Sequence, residues 1–136
     1  MARVQLALNV SDLDEAIAFY SKLFATEPAK VKPGYANFAV ADPPLKLVLI
    51  EGNGEPGSLN HLGVEVESTD AVKAATARLA GEGLPTAEEH GECCYAVQDK
   101  VWVDAPDNRP WEIYTVLSDA ETMGCSTVPV SSTNCC

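Results

Sequence analysis

Val4-Gln-Leu-Ala-Leu8 and Asn60-His-Leu-Gly-Val64 are the two stretches whose reading decides the fold. Each mixes polar and apolar residues in the manner of a strand, and each opens the same longer series. The first continues through Val10 to Ser11-Asp-Leu-Asp14, which fits a capping box at a helix start. Leu13, Ala16, Ile17, Tyr20, Leu23 and Phe24 then recur at helical spacing and form one apolar stripe. Three strand-like stretches follow, near 29–32, 35–41 and 45–51, with Pro33-Gly34 and Pro43-Pro44 as turns. The second series repeats this order. A strand over 60–66 leads to a helix beginning at Ser68 or Thr69, with Val72, Ala75, Thr76 and Leu79 on one side and Gly81 and Gly83 at its end. Strands are expected near 86–88, around 95–103 and over 111–116, the last two joined by the turn formers of Asp104-Ala-Pro-Asp-Asn-Arg-Pro110.

Two copies of strand–helix–three strands define an α+β chain of two βαβββ modules. One domain over 1–118 is expected, with modules at 2–52 and 58–118. From 119 to 136 the apolar period stops, and the Ser, Thr, Gly and Pro content reads as a flexible, cysteine-containing tail. The 136 residues suffice for one modest core. A formal net charge of −11 repels phosphate backbones and anionic lipid, which argues against nucleic-acid and membrane partners. No apolar run reaches the roughly 20 residues of a membrane span, and the N-terminus lacks a secretory h-region. A cytoplasmic protein, monomeric or homodimeric, is expected. The five cysteines are odd in number, match no zinc-ribbon spacing, and in a reducing compartment are expected as free thiols.

Aligning the repeats places Gln5 over His61, and Pro44-Leu-Lys-Leu47 over Pro110-Trp-Glu-Ile113, so that Lys46 is the counterpart of Glu112. If each half curls into a half-barrel, its first and last strands lie side by side, and pseudo-twofold symmetry aims the four side chains at one place. An amide oxygen, an imidazole and a carboxylate can ligate; the protonated Lys46 cannot. Taken singly, a strand histidine is more often hydrogen-bonded structure and a glutamate more often surface. Together, in matched slots of a repeat, they read as a metal site.

This pattern resembles the vicinal oxygen chelate superfamily of glyoxalase I, extradiol dioxygenases and fosfomycin-resistance proteins. The resemblance rests on the double βαβββ order, on Asp14-Glu-Ala-Ile-Ala-Phe-Tyr20, on Leu59-Asn-His-Leu-Gly-Val64 and on Asp107-Asn-Arg-Pro-Trp-Glu112, and it covers about residues 2–117. It implies two modules forming a half-barrel metal site. Three ligands leave coordination positions open, the logic of the facial triad of non-haem Fe(II) oxygenases, here with Gln5 in place of one histidine. Amide oxygen is a hard, weak ligand, so a labile divalent ion such as Fe(II) suits the set.

Cys93-Cys94 lies in Glu88-Glu-His-Gly-Glu-Cys-Cys-Tyr95, ahead of a strand. Successive residues of a regular strand point to opposite faces, so two vicinal thiols share one soft ion only where the backbone is irregular, as Gly91 permits. The glutamate-rich neighbourhood argues against burial of the pair and raises thiol pKa. His90 reads as a solvated loop residue. The string Glu92-Cys-Cys-Tyr-Ala-Val-Gln-Asp-Lys-Val-Trp102, with Val4-Gln-Leu-Ala-Leu8, Pro33-Gly-Tyr-Ala-Asn-Phe38 and Pro44-Leu-Lys-Leu-Val-Leu-Ile50, is similar to the organoarsenical carbon–arsenic lyases and the cadmium-induced proteins. That resemblance implies that Gln5, His61 and Glu112 are catalytic and bind Fe(II), that Cys93 and Cys94 hold trivalent arsenic, and that dioxygen is used to split the carbon–arsenic bond, releasing arsenite. The small-molecule partners it implies are a trivalent organoarsenical, methyl or aromatic, and O2. Two other readings stay open: a thiol protein that binds arsenic or cadmium without turnover, and another glyoxalase or dioxygenase reaction. Cys125, Cys135 and Cys136 either capture arsenic on a flexible arm or belong to a dispensable tail.

Overall fold

The structure, a computed structural model, describes residues 2–121; of the expected tail over 119–136, Asp119 is the last residue of a strand and Ala120 N–H donates to the Tyr95 carbonyl at 2.9 Å, while 122–136 with Cys125, Cys135 and Cys136 lie outside the described residues. The elements run β1 (Arg3–Val10), α1 (Leu13–Leu23), β2 (Lys30–Lys32), β3 (Tyr35–Val40), β4 (Leu45–Glu51), β5 (Leu59–Glu65), α2 (Thr69–Gly81), β6 (Ala87–Cys93), β7 (Ala96–Ala105), a 3-10 turn (Pro106–Asn108) and β8 (Arg109–Asp119). The expected strand–helix–three strands order therefore occurs twice. The described residues form two compact units, 3–62 and 63–121 with Ala2, and the division falls inside β5, leaving Asn60 and His61 in the first. Among the described residues no helix is long and apolar enough to cross a membrane.

In the first unit the strands are ordered β2-β3-β4-β1. β1 and β4 are parallel, with Gln5 in register with Lys46, so the first and last strands of this module lie side by side as expected. The start of β5 runs beyond β1, tied to it by Asn9 N–H donating to the Ser58 carbonyl at 2.9 Å. Alternation along β1 sends Leu6, Leu8 and Val10 toward the α1 core and leaves Gln5, Ala7 and Asn9 buried on the opposite face.

The core of this unit sets Leu13 on Ala36, Phe38, Val40, Leu47 and Leu49, with Ala16, Ile17, Tyr20 and Phe24 packed against them. Leu23 departs from the expected stripe and is 56% exposed. At about 100° per residue it lies roughly 80° around the helix from Leu13, at the margin of the apolar face. The helix cap also differs: Asp12, not Ser11, is the N-cap, accepting from Glu15 N–H at 3.0 Å. Glu51 adds a second carboxylate there, accepting from Leu13 N–H at 2.7 Å. Two acidic groups on the positive end of α1 satisfy donors the helix cannot.

In the second unit β6, β7 and β8 are antiparallel, with β6 outermost. The end of β5 meets β8 where Val66 N–H donates to the Tyr114 carbonyl at 2.8 Å. Ser68 caps α2, accepting from Ala71 N–H at 3.1 Å, and Val72 and Leu79 are its buried residues. β6 is far longer than the strand expected at 86–88 and absorbs the polar run up to Cys93. Its charged residues suit an edge strand, where unpaired backbone is shielded by charge rather than by packing. His90 accordingly sits in a strand, not a loop, and is hydrogen-bonded to Asp99. Asp99 also accepts from the Thr69 hydroxyl at 2.5 Å, tying the start of α2 to β7; the His90 bond, then the Thr69 bond, lowers its carboxyl pKa.

Candidate functional site

Gln5 and His61 lie on β1 and β5 of the first unit, 3% and 0% exposed, with Gln5 Nε2 3.2 Å from His61 Nε2. Polar groups this deep need partners. His61 Nδ1 lies 2.8 Å from Asn60 Oδ1, and Asn60 Nδ2 donates to Asn9 Oδ1 at 3.1 Å. Asn9 Nδ2 donates to Ser58 Oγ at 3.0 Å, and Ser58 Oγ donates to the Glu55 carbonyl at 2.6 Å. A backbone carbonyl only accepts, so the chain has one direction. Each amide turns its nitrogen toward Ser58 and its oxygen toward His61, so Nδ1 carries the hydrogen. Nε2 then holds the lone pair that a metal ligand needs, and the Gln5 amide N–H donates to it. A metal-ligating imidazole held by a carbonyl on its other nitrogen is the usual outer-shell arrangement. Lys46, the expected fourth slot, is the half-buried register neighbour of Gln5.

Glu112 lies on β8 of the second unit and is 2% exposed. Its Oε1 accepts from the Lys100 ammonium at 2.7 Å, and both side chains are buried. Lys100 also lies 3.5 Å from Cys93 Sγ and 5.5 and 5.7 Å from the Trp102 and Tyr114 ring centroids. Burial alone would depress the Lys100 pKa; the Glu112 carboxylate, with Cys93, outweighs it and holds the ammonium charged. One buried cation thus joins the carboxylate to the thiol. Replacing Lys100 by Met leaves that carboxylate uncompensated, and the metal-free variant should lose about 3–5 kcal/mol in urea denaturation. An unchanged midpoint would show that the pair contributes nothing.

Cys93 and Cys94 are both buried, 2% and 7% exposed, against the expectation from their acidic neighbourhood. The glutamates at 88 and 92 project outward along the edge strand, while Cys93 faces inward. The irregular backbone that two thiols require comes from a hairpin turn. Cys93 pairs with Ala96, and the two residues between them, Cys94 and Tyr95, have φ of 52° and 61°. Positive φ at both central positions is the type I′ pattern that favours Asn and Gly; here a cysteine and a tyrosine hold it, at a cost of order 1 kcal/mol each. Gln98 braces the turn, donating from Nε2 to the Cys93 carbonyl at 2.7 Å.

Burial first, and then the facing Glu112 and Glu89 against the opposing pull of Lys100, pushes the Cys93 thiol up to about 12. Its thiolate is therefore scarce at neutral pH. Iodoacetamide should label Cys93 in the folded protein slowly at pH 8 and faster as pH approaches 12, whereas in the denatured chain labelling should level off above the ordinary thiol pKa of about 8.5. Rapid native labelling at pH 8 would contradict the assigned burial. Cys93 is a free thiol, as expected.

Among the described residues no three His, Cys, Asp or Glu side chains gather as a metal-binding group. The predicted ligands include only two residues of those types, the third being an amide. The donors of the first unit suit a hard divalent ion, an imidazole with its Nε2 lone pair unprotonated beside an amide; Glu112, in the second unit, is a buried carboxylate. Asn9, Asn60, Gln98, Lys100 and Trp102 were not singled out by the sequence. Lys100 and Trp102, two apart on β7, share its buried face, in register with Tyr114 and Glu112 of β8.

The family model of the Glyoxalase/Bleomycin resistance protein/Dioxygenase superfamily matches residues 3–113. The chain belongs to that superfamily. The match spans Gln5, His61, Cys93, Cys94 and Glu112 alike. Within the superfamily, the chain is 65% identical over 125 residues to the cadmium-induced protein CadI of Mycobacterium tuberculosis, covering 91% of this chain and 82% of that one. It is 63% identical over 125 residues to the trivalent organoarsenical cleaving enzyme of Thermomonospora curvata, covering 90% and 83%. An extradiol ring-cleaving dioxygenase from B. fuscum shares the fold, with a TM-score of 0.63 at 19% identity over 89% of this chain and 34% of that one.

Proposed function

We propose that the protein cleaves the carbon–arsenic bond of trivalent organoarsenicals, using Fe(II) and dioxygen and releasing arsenite. Gln5, His61 and Glu112 would hold the iron, and Cys93 and Cys94 the arsenic. The observation that carries this reading is the Lys100 ammonium, 2.7 Å from Glu112 and 3.5 Å from Cys93, which sets a hard oxygen donor and a soft sulfur donor beside one cation. The relative from Thermomonospora curvata, named for cleaving such compounds, supports it.

The residues divide the work by softness. Trivalent arsenic is thiophilic, whereas imidazole, amide and carboxylate suit Fe(II). An arsenical with two hydroxyls exchanges them for two sulfurs, and each thiol proton leaves with a hydroxyl as water. A neutral Cys93 thiol therefore suffices. Bound Fe(II) supplies activation of dioxygen. The dithiol holds the organic substituent in place, so that its reaction becomes a proximity-driven step. Lys100 pairs with Glu112 and confines one of its oxygens. For a methyl substituent the balance is one O2 consumed per arsenite and formaldehyde formed.

A second reading, binding of a soft metal or metalloid without turnover, is favoured by the 65% identity to a cadmium-induced protein. Protein with its thiols reduced, reconstituted anaerobically with Fe(II) and mixed with methylarsonous acid, decides between them. Oxygen uptake matched by arsenite release is the expected result. Arsenical bound with neither uptake nor release would leave only the binding protein.

A further inference from the structure

We propose that the surface loop over residues 52–58 sets His61 in its metal-binding form, acting through Asn9 and Asn60. The proposal rests on reading His61 as a metal ligand. Its basis is the directional chain of hydrogen bonds that starts on the Glu55 carbonyl and ends on His61 Nδ1. Asn9 is the joint of this chain. It is 4% exposed, and its backbone is clamped on both sides, donating to the Ser58 carbonyl at 2.9 Å and accepting from Gly57 N–H at 2.8 Å.

Its side chain is clamped by the absence of another. A Cβ added at Gly54 would stand 2.7 Å from Asn9 Nδ2 and 3.0 Å from its Cγ. Gly54 carries no positive φ, so glycine is required there by the close approach of the Asn9 carboxamide and not by backbone strain. The loop thus presses a bare backbone against the amide whose orientation propagates, through Asn60, to the imidazole. If the Asn9 amide turns over, its nitrogen faces Asn60 and the Asn60 amide must turn as well. The amide nitrogen then meets His61 Nδ1, which must become an acceptor. The hydrogen moves to Nε2, the atom that would face a metal, and ligation is blocked. The loop residues are positioning residues, remote from any reacting atom.

The test is Gly54→Ala, which touches no candidate ligand, beside Asn60→Leu, which cuts the chain, and Asn60→Asp, which keeps an oxygen for Nδ1–H. Each protein is reduced, stripped of metal and titrated anaerobically with Co(II), followed by its visible absorption; imidazole nitrogen NMR of the metal-free proteins reports the His61 tautomer. Gly54→Ala and Asn60→Leu are expected to weaken Co(II) binding about 10- to 100-fold, and to shift His61 toward the Nε2–H form. Asn60→Asp should bind within a few-fold of wild type. Melting temperatures separate this effect from unfolding, and if Asn60→Leu does not fold, Gly54→Ala carries the comparison. Wild-type Co(II) affinity in Gly54→Ala, or an unchanged tautomer, overturns the proposal. Failure of the underlying reading looks different: His61→Ala would then bind Co(II) as tightly as wild type.

Discussion

His61→Ala and Glu112→Ala should each abolish Fe(II) binding and all turnover while leaving far-ultraviolet circular dichroism nearly unchanged. If three protein ligands hold the ion, removing one leaves two, and the site loses both affinity and the geometry that keeps positions open for dioxygen. The two variants should differ in stability. His61→Ala removes a buried ring from a hydrogen-bonded chain and leaves Asn60 Oδ1 without its donor, a cost of about 1–3 kcal/mol. Glu112→Ala strands the Lys100 ammonium, 2% exposed, and should cost about 3–5 kcal/mol. Glu112→Gln, which keeps an oxygen for Lys100, separates the roles by retaining more stability while still losing iron. Full activity in His61→Ala or Glu112→Ala would sink the ligand assignment.

The parts of this arrangement legible in the sequence are those fixed by periodicity. The repeat follows from where strands and helices alternate, and the β1–β4 pairing brings Gln5 beside Lys46 as the alignment of the halves implied. What the sequence hid depends on contacts between residues far apart in the chain. Lys100 reads as a surface residue in Gln-Asp-Lys-Val-Trp because lysine is rarely buried, and its partner Glu112 lies on another strand. Asn60 beside His61 looks like any polar strand residue until Asn9 and Ser58 give its amide a direction. The hairpin at Cys94-Tyr95 escaped because neither residue is a turn former; the strain is tolerated where the structure over-determines it. The polar run of β6 failed for the opposite reason: an edge strand needs no apolar period on its outer side.

Cys93→Ser and Cys94→Ser should each abolish carbon–arsenic cleavage yet leave Fe(II) affinity at the wild-type value. The two thiols stand at the end of β6 and on the first central residue of a type I′ turn, and Lys100 lies between Cys93 and Glu112, 3.5 Å from the sulfur and 2.7 Å from the carboxylate. Serine keeps the shape and lets the hairpin close, but its oxygen has little affinity for trivalent arsenic, and one remaining thiol cannot hold the metalloid in a fixed orientation. The organic substituent then samples many positions, and the proximity that carries the step is lost; effective molarities of about 10⁵–10⁸ M show how much rate that can remove. Iron sees no change, because its proposed donors are nitrogen and oxygen. The decisive comparison sets each serine variant beside His61→Ala. A cleaving enzyme loses turnover in all three, loses arsenic binding only in the serine variants, and loses iron only in His61→Ala. A passive binder consumes no oxygen in any of them. A serine variant that lost Fe(II) as well would place the sulfurs among the iron ligands and overturn the separation of hard and soft sites on which the proposed reaction depends.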